Sequence, residues 1–175
     1  SLYGFPVFMY MELYDNSPDL TEIRPTKTSD IAIMESIELK CQETPLERPE
    51  ITEFIKNEEV HGIMGVRKFQ NVGFALFNIQ DNGGLVFVNR FSVAQLFLER
   101  GVPEQIVSTL RVTSSDGPLA TLRMIVSERD IGSPMFDKYI ELGFQATGTV
   151  RDYFVEYSRE YGTDKPCDGI KLELS

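Results

Sequence analysis

The sequence has few of the side chains that most often perform nucleophilic or metal chemistry. It contains one histidine, His61, and two cysteines, Cys41 and Cys167, which form neither a CxxC motif nor a metal-ligand spacing. His61 belongs to a strand-like segment, and the sequence has no GxSxG motif with which it could form a hydrolase triad. We therefore expect no metal site, a structural role for His61, and free thiols of the kind found in a reducing cytoplasm.

An excess of basic residues and a long apolar run are also missing. The 17 Lys and Arg residues against 27 Asp and Glu residues give a formal charge of −10, which argues against binding to the phosphate backbone of nucleic acids. No apolar run reaches the roughly 20 residues that span a bilayer, and no basic residue precedes the apolar residues 7–11 as in a signal peptide. We expect a cytoplasmic protein without nucleic-acid or membrane partners, whose acidic surface is either simply solvated or attracts a cationic partner.

The composition is that of one globular domain. The 175 residues, 42% of them apolar and 25% charged, can form a sizeable hydrophobic core. We expect a single domain over residues 21–175. Residues 1–20 are expected to be an N-terminal strand or extension, or a linker from a longer chain.

Hydrophobic periodicity predicts a mixed order of strands and helices. Strand patterns cover residues 5–13, 21–24, 60–69, 72–79, 85–93, 119–126, 144–150 and 170–174. Helical patterns run from Ser29 or Asp30 to about residue 40, from Pro49 onward, over residues 103–110 and over residues 134–142. The strands within residues 60–93 follow one another through tight turns and predict an antiparallel meander, whereas the later strand–helix–strand units predict parallel pairing.

Three segments carry a resemblance to a known family. Residues 22–30 are similar to its opening strand and helix start, and residues 91–93 with 97–106 are similar to its cofactor strand, loop and helix. Residues 139–144, Tyr-Ile-Glu-Leu-Gly-Phe, match its late Y-x-x-x-G-F signature. Over nearly all of the chain after its first 20 residues, the sequence resembles the GNAT superfamily of acyl-CoA N-acyltransferases, and residues 151–154 resemble its protein N-terminal acetyltransferase branch.

The resemblance implies a mixed α/β fold and an acyl-CoA cosubstrate. The fold would be a twisted mixed sheet of about six to seven strands with helices on both faces. A splayed seam between the strands ending near Val93 and Val126 would admit the pantetheine arm of acetyl-CoA. The next helix N-terminus would hold the pyrophosphate, because its unpaired N–H groups and dipole favour an anion. The cofactor-binding residues implied are Phe91, Val93, Arg100, Gly101, Val102 and Glu104.

The pyrophosphate loop departs from the usual family pattern Q/R-x-x-G-x-G/A. Only Gly101 fits, because Leu98 and Pro103 replace the first and last residues. Pro103 removes one N–H donor, and Glu99 and Glu104 bring negative charge close to where phosphates would lie. We expect a weaker anion site than the family's usual one, with Glu104 pointing to solvent.

Two residues are candidates for proton transfer. The resemblance assigns Tyr139 as the general acid that protonates the departing thiolate, a role that a tyrosine hydroxyl can perform. Glu128, just after a predicted strand, is a candidate base for the attacking amine, directly or through water. The alternatives are a tyrosine that only packs and a solvated glutamate at the end of a strand.

Two functions follow from these residues. The first is an acyl-CoA-dependent N-acyltransferase, with acetyl as the expected acyl group, that transfers directly to the primary amine of a small molecule or peptide. The second is a catalytically inactive GNAT-like sensor or protein-interaction module in a larger protein, which the irregular loop favours. A shared fold does not decide between them.

Overall fold

The computed structural model describes residues 22–112, 118–158 and 163–175. The strand predicted at residues 5–13 lies outside these residues. None of the described helices is long and apolar enough to cross a membrane.

The described elements follow the predicted order. The strands are β1 (Glu22–Pro25), β2 (His61–Arg67), β3 (Gln70–Gln80), β4 (Leu85–Val93), β5 (Thr121–Ser127), β6 (Gln145–Ser158) and β7 (Thr163–Leu174). The α-helices are α1 (Ile31–Cys41), α2 (Arg48–Lys56), α3 (Val102–Val112) and α4 (Pro134–Glu141). A mixed α/β architecture is therefore confirmed.

The described strands form one mixed sheet in the order β1-β2-β3-β4-β5-β7-β6. Strands β2 to β4 pair antiparallel, as the tight turns predicted. Strand β1 also pairs antiparallel with β2, and β4 pairs parallel with β5. The expected parallel pairing after β5 is wrong in one respect. Strand β7 lies between β5 and β6 and pairs antiparallel with both, because the chain returns through a long β6–β7 hairpin.

Helices cover both faces of the sheet, as predicted. On β3, Phe74 and Leu76 belong to one core cluster, with α1 and α2, whereas Ala75 and Phe77 belong to the other, with α3 and α4. Alternate residues of a strand point to opposite faces, so the two clusters lie on opposite sides of the sheet.

The main differences from the predicted strand boundaries lie at the end of β2 and in the last hairpin. The strand predicted over residues 60–69 ends at Arg67, because Lys68 and Phe69 adopt positive φ angles of 48° and 66° in the turn to β3. The last hairpin is longer than predicted, since β6 continues to residue 158 and β7 starts at residue 163. Its outer part carries charged residues that interrupt the apolar alternation on which the prediction rested.

Candidate functional site

Strands β4 and β5 separate toward their C-terminal ends. Their ladder runs from the pair Leu85–Thr121 to the pair Phe87–Arg123, although β4 continues to Val93. Strand β5 also continues, to Ser127. The predicted splayed seam is therefore confirmed, and the backbone of β4 beyond Phe87 has no ladder partner on β5.

Tyr139 closes the seam from the α4 side. Helix α4 begins with local signals, since the Ser133 hydroxyl accepts a hydrogen bond from the N–H of Phe136 and Pro134 occupies the first turn. The Tyr139 ring packs against Phe91, and its hydroxyl donates a 2.6 Å hydrogen bond to the Phe91 carbonyl. The side chain is only 3% exposed, and burial raises the pKa of the phenol well above its ordinary value. Tyr139 therefore carries its proton at neutral pH.

Gln42 approaches the same carbonyl from the α1 side. Its amide nitrogen donates to the Ser92 hydroxyl at 2.9 Å and to the Phe91 carbonyl at 3.2 Å, and it lies 3.4 Å from the Tyr139 hydroxyl. The sequence did not single out Gln42, although functional residues often lie in loops directly after a helix, as Gln42 does after α1.

A buried ion pair fixes β4 beneath these groups. Glu38 of α1 is completely buried, and its carboxylate accepts hydrogen bonds from Arg90 at 2.6 to 3.0 Å, from the Ser92 hydroxyl at 2.5 Å and from the Leu46 N–H at 3.0 Å. Burial alone would lower the pKa of Arg90, but its hydrogen bonds with Glu38 and the charge of that carboxylate raise it above the ordinary value. Because every oxygen of Glu38 is bonded, the buried charge is compensated.

The connection between α1 and α2 ties the two sides of the seam together. The Thr44 carbonyl accepts a 2.8 Å hydrogen bond from Arg90 of β4. The Thr44 hydroxyl donates a 3.2 Å hydrogen bond to Asp130, a buried carboxylate in the turn that follows β5. This connection thus contacts a residue of β4 and a residue of the turn that follows β5.

Two cavities meet at the base of the seam. A small one of about 20 Å³ contacts Gln42, Phe91, Asp130 and Tyr139. A larger one of about 370 Å³, here called the α2-side cavity, lies between α2, the α1–α2 connection, β4, β5 and β6. Both cavities are lined by Val88, Asn89, Arg90 and Ile125. The two cavities therefore border the same segment of β4 and the same residue of β5.

A larger groove lies apart from this path. It encloses about 1070 Å³ between α1, residues 69–72 and residues 94–97. It contacts neither Tyr139 nor Arg90, so its size alone does not associate it with the polar groups of the seam.

The residues assigned to cofactor binding lie along the end of β4 and the start of α3. Phe91 and Val93 are buried strand residues. Gly101, with a φ angle of 74°, precedes α3, and its carbonyl accepts the first helical hydrogen bond, from the Gln105 N–H at 3.1 Å. Val102 and Glu104 lie in the first turn, whose N–H groups have no acceptor within an α-helix, and Arg100 lies two residues before α3.

Lys138 of α4 forms ion pairs with the acidic side chains near the start of α3. Its ammonium group lies 3.0 Å from Glu104, 3.0 Å from Glu141 and 3.7 Å from Glu99. Lys138 is 6% exposed, and burial would lower its pKa, but hydrogen bonds to Glu104 and Glu141 raise it. Glu104 is half-exposed, as a solvent-facing residue would be, but its carboxylate is also bound to a lysine that the sequence did not indicate.

Glu128 lies farther out than the buried groups. It opens the 3-10 turn after β5, its side chain is exposed, and its carboxylate accepts a 3.3 Å hydrogen bond from the Asp168 N–H. It does not line the small cavity, whereas Asp130, two residues later, does.

No protein-family model matches the sequence, and no curated protein matches it. Solved structures, in contrast, match it over most of its length. The ribosomal-protein-S18-alanine N-acetyltransferase from Escherichia coli is 16% identical with a TM-score of 0.62, covering 87% of this chain and 92% of its own. Arabidopsis thaliana NAA60 with a bisubstrate analogue is 15% identical with a TM-score of 0.65, covering 87% and 96%.

A third match is a GNAT family acetyltransferase from Elizabethkingia anophelis with acetyl-CoA bound. It is 16% identical with a TM-score of 0.63, covering 88% of this chain and 97% of its own. Likeness at these identities concerns the fold, here a mixed seven-stranded sheet with four α-helices in the described part of the chain. The chain has the GNAT fold.

Proposed function

We propose that this chain is an acyl-CoA-dependent N-acyltransferase that transfers an acetyl group directly to a primary amine. The observation that carries the proposal is the seam between β4 and β5, beyond the end of their ladder, with the buried Tyr139 hydroxyl at its wall. Structural neighbours with bound acetyl-CoA or CoA support the same choice of cosubstrate.

The residues of the seam fit an extended amide-containing chain such as pantetheine. Beyond Phe87 the β4 backbone is free of the β5 ladder, so amide groups of an inserted chain can replace the missing strand partners. The arm would run along Phe91 and Val93. At the far end, the N–H groups of Gly101, Val102 and Glu104 would face the pyrophosphate, and Arg100 would add a positive charge.

Tyr139 supplies the proton in this proposal. The amine nitrogen attacks the thioester carbonyl, the carbon–sulfur bond breaks, and sulfur takes the Tyr139 proton. Burial raises the pKa of the phenol, which keeps the proton in place at neutral pH. A thiolate formed in the same water-poor seam is also a stronger base than in water, so the transfer remains feasible. Gln42 would hold the Phe91 carbonyl while the hydroxyl turns toward sulfur.

Removal of the amine proton is assigned to a carboxylate after β5. Glu128 is exposed and would act through water. Asp130 lines the small cavity together with Tyr139 and is the better placed of the two. Either carboxylate would pass the proton to solvent, and the Tyr139 phenolate would regain a proton from solvent when CoA leaves as the thiol.

A non-catalytic GNAT-like module is the second candidate. It is favoured by the Phe91 carbonyl, which already accepts hydrogen bonds from Tyr139 and Gln42, and by the small volume left beside them. The carboxylates of Glu99 and Glu104 beside α3 would also oppose an anionic ligand.

Calorimetric titration with acetyl-CoA, combined with an assay for released CoA in the presence of mixed amines, separates the two. The enzyme proposal expects saturable binding below millimolar concentration and CoA release that requires an amine. Absence of binding at millimolar acetyl-CoA would leave the non-catalytic module as the function.

A further inference from the structure

The large groove beside α1, here called the α1 groove, is lined mainly by apolar residues. Ile33 and Ile37 of α1 form one wall, and at the opposite rim Phe69 is fully exposed and Leu96 is 84% exposed. Its volume of about 1070 Å³ exceeds the usual range of small-molecule sites. Exposed apolar surface of this kind marks a site that another segment or molecule covers.

Phe69 holds its exposed position at a conformational cost. Its φ angle of 66° lies in the left-handed region, which Gly, Asn and Asp adopt more readily than a bulky aromatic residue. Within the part of the chain that the structure describes, the exposed ring gains no burial that would offset this cost. An aromatic residue in this turn is explained if its ring packs against a further segment.

The described structure begins next to this groove. Glu22, the first residue of β1, pairs with Val66 of β2, and Val66 pairs with Asn71 of β3, which lines the groove. Neighbouring strands lie about 4.8 Å apart, so Glu22 is about 10 Å from Asn71 across the sheet. The residues that precede Glu22 therefore enter the domain a short distance from the groove.

Strand β1 also faces the groove on the correct side of the sheet. The Arg24 guanidinium donates 2.8 Å hydrogen bonds to Asp30, directly before α1, and a 3.3 Å hydrogen bond to the Asn71 side chain. Arg24 thus lies on the face that α1 covers. Because alternate residues of a strand share a face, Glu22 lies on that face as well. The preceding segment can reach the groove without crossing the sheet.

The sequence before the described residues contains a segment whose chemistry matches the groove. Residues 5–11, Phe-Pro-Val-Phe-Met-Tyr-Met, are all apolar or aromatic, and Leu13 and Tyr14 follow them. Residues 15–21 can span up to about 23 Å when extended, which is more than the distance to Asn71 requires. An apolar run of this length gains free energy when it covers an apolar surface within its reach.

Charge and tethering favour this segment over a second copy of the chain. Lys40 is the one charged residue among the described residues that line the groove, and the segment carries Glu12, with Asp15 directly after it. A second copy would bring together two chains with a formal charge of −10 each, which opposes association. A segment tethered to the same domain has an effective concentration on the order of millimolar.

We infer that residues 5–14 of this chain dock in the α1 groove and cover Phe69 and Leu96. The docked segment also contacts residues 94–97, which connect the end of β4 with the turn at Gly101 before α3. It therefore stabilises the connection that leads to the proposed pyrophosphate site. The docking itself goes beyond the proposed function and depends neither on acyl-CoA binding nor on transfer.

Methionine methyl NMR on the full chain tests the docking. Met9 and Met11 lie in the segment, whereas Met124 and Met135 are buried in the core on the α3 side and serve as references. We expect nuclear Overhauser effects between a methyl group of the segment and Leu96, and ring-current shifts of both segment methyl groups away from free methionine. Both observations should persist on tenfold dilution, because the contact lies within one chain.

Variants locate the contact. Leu96→Ser and Phe69→Asn, which keeps a residue suited to a positive φ, should return both segment methyl groups to free-methionine shifts. Chymotrypsin cleavage within residues 5–14 should become at least fivefold faster in both variants. Leu119→Ser is the matched control, because Leu119 is also exposed, at 57%, but lies beside α3, and it should behave like the parent. The reference methyl signals should stay in place in all three variants, which shows that the fold is intact.

Three results would overturn the inference. The first is free-methionine shifts of the segment in the parent chain, and the second is contacts of the segment with the edge of β1 instead of Leu96. The third is loss of the contacts on dilution, which would identify a second copy as the occupant. Unchanged shifts and cleavage rates in both groove variants would contradict it equally.

Discussion

The two ends of the seam differ in the balance and in the exposure of their charged side chains. At its base, Glu38 and Arg90 form a buried pair in which the carboxylate is fully hydrogen-bonded. At the start of α3, one lysine, Lys138, faces the exposed or half-exposed carboxylates of Glu99, Glu104 and Glu141. The first arrangement is charge-balanced and mostly buried, whereas in the second the carboxylates are exposed and outnumber the ammonium group.

The difference indicates separate tasks for the two regions. Breaking a buried ion pair leaves an uncompensated charge and costs several kcal/mol, while an exposed pair contributes about 1 kcal/mol or less. The base of the seam should therefore decide whether β4 keeps its position, and the α3 end should only tune the affinity for an anion. Variants at the two ends test whether the two regions have these separate tasks.

The largest effect is expected for Glu38→Gln. It leaves the buried Arg90 without its counter-charge, so the free energy of unfolding should fall by about 3–5 kcal/mol. Glu35→Gln on the same helix is the matched control, because Glu35 forms an exposed pair with Arg48 at 3.0 Å and its loss should cost less than about 1 kcal/mol. Chemical denaturation measures both, and similar losses would remove the distinction between the regions.

Tyr139→Phe should separate chemistry from binding at the base of the seam. It removes the hydroxyl but keeps the packed ring, and Gln42 still donates to the Phe91 carbonyl. We expect turnover to fall by tens-fold or more, within the roughly 10²–10⁴-fold typical of a general acid, while acetyl-CoA affinity stays nearly unchanged. Steady-state kinetics with calorimetry checks this. Unchanged turnover would mean that water or another group protonates the departing thiolate.

The charge of the α3 end should show in affinity and in its salt dependence. Glu104→Gln removes a negative charge and releases Lys138, so acetyl-CoA should bind a few-fold more tightly, whereas Arg100→Glu should bind much more weakly. Both effects should shrink with salt, since exposed charges are screened beyond roughly 10 Å at ~0.1 M. Glu141→Gln, which also releases Lys138 but lies at the end of α4, is the control. If both variants bind acetyl-CoA more tightly by the same factor, the change at Lys138 explains the effect, and the position of the Glu104 charge beside α3 does not.

These regions also differ in how far the sequence predicts them. The bounds of β4 and the start of α4 follow from local signals, such as the apolar run of Leu85–Val93 and the Ser133–Pro134 start. The Glu38–Arg90 pair joins residues 52 positions apart, so no local pattern indicates it. Lys138 likewise meets Glu99 and Glu104 only because α3 and α4 lie on the same face. The bulge in β6 cannot be predicted from the local sequence either, because it depends on the register of β6 against β7.

The smallest effect concerns Cys41 beside the buried pair. Burial, followed by the nearby charge of Glu38, raises the pKa of this thiol to about 12. The folded protein keeps the thiol protonated where the unfolded chain forms the thiolate, so this group lowers stability progressively as pH rises from its ordinary pKa toward 12 and hardly affects it near neutral pH. Thiol-specific labelling at pH 8 should be negligible in the folded protein and rapid after unfolding. Fast labelling of the native protein would indicate that the base of the seam is open to solvent.

The central claim is that the open part of β4 receives an acyl-CoA. Backbone amide NMR during titration with acetyl-CoA tests it most directly, because each amide reports its own surroundings. We predict shift changes at residues 88–93 of β4 and at Gly101, Val102 and Glu104 at the start of α3, with β2 residues 62–66 unaffected as an internal reference. Shift changes confined to other residues, or none at millimolar acetyl-CoA, would contradict the account.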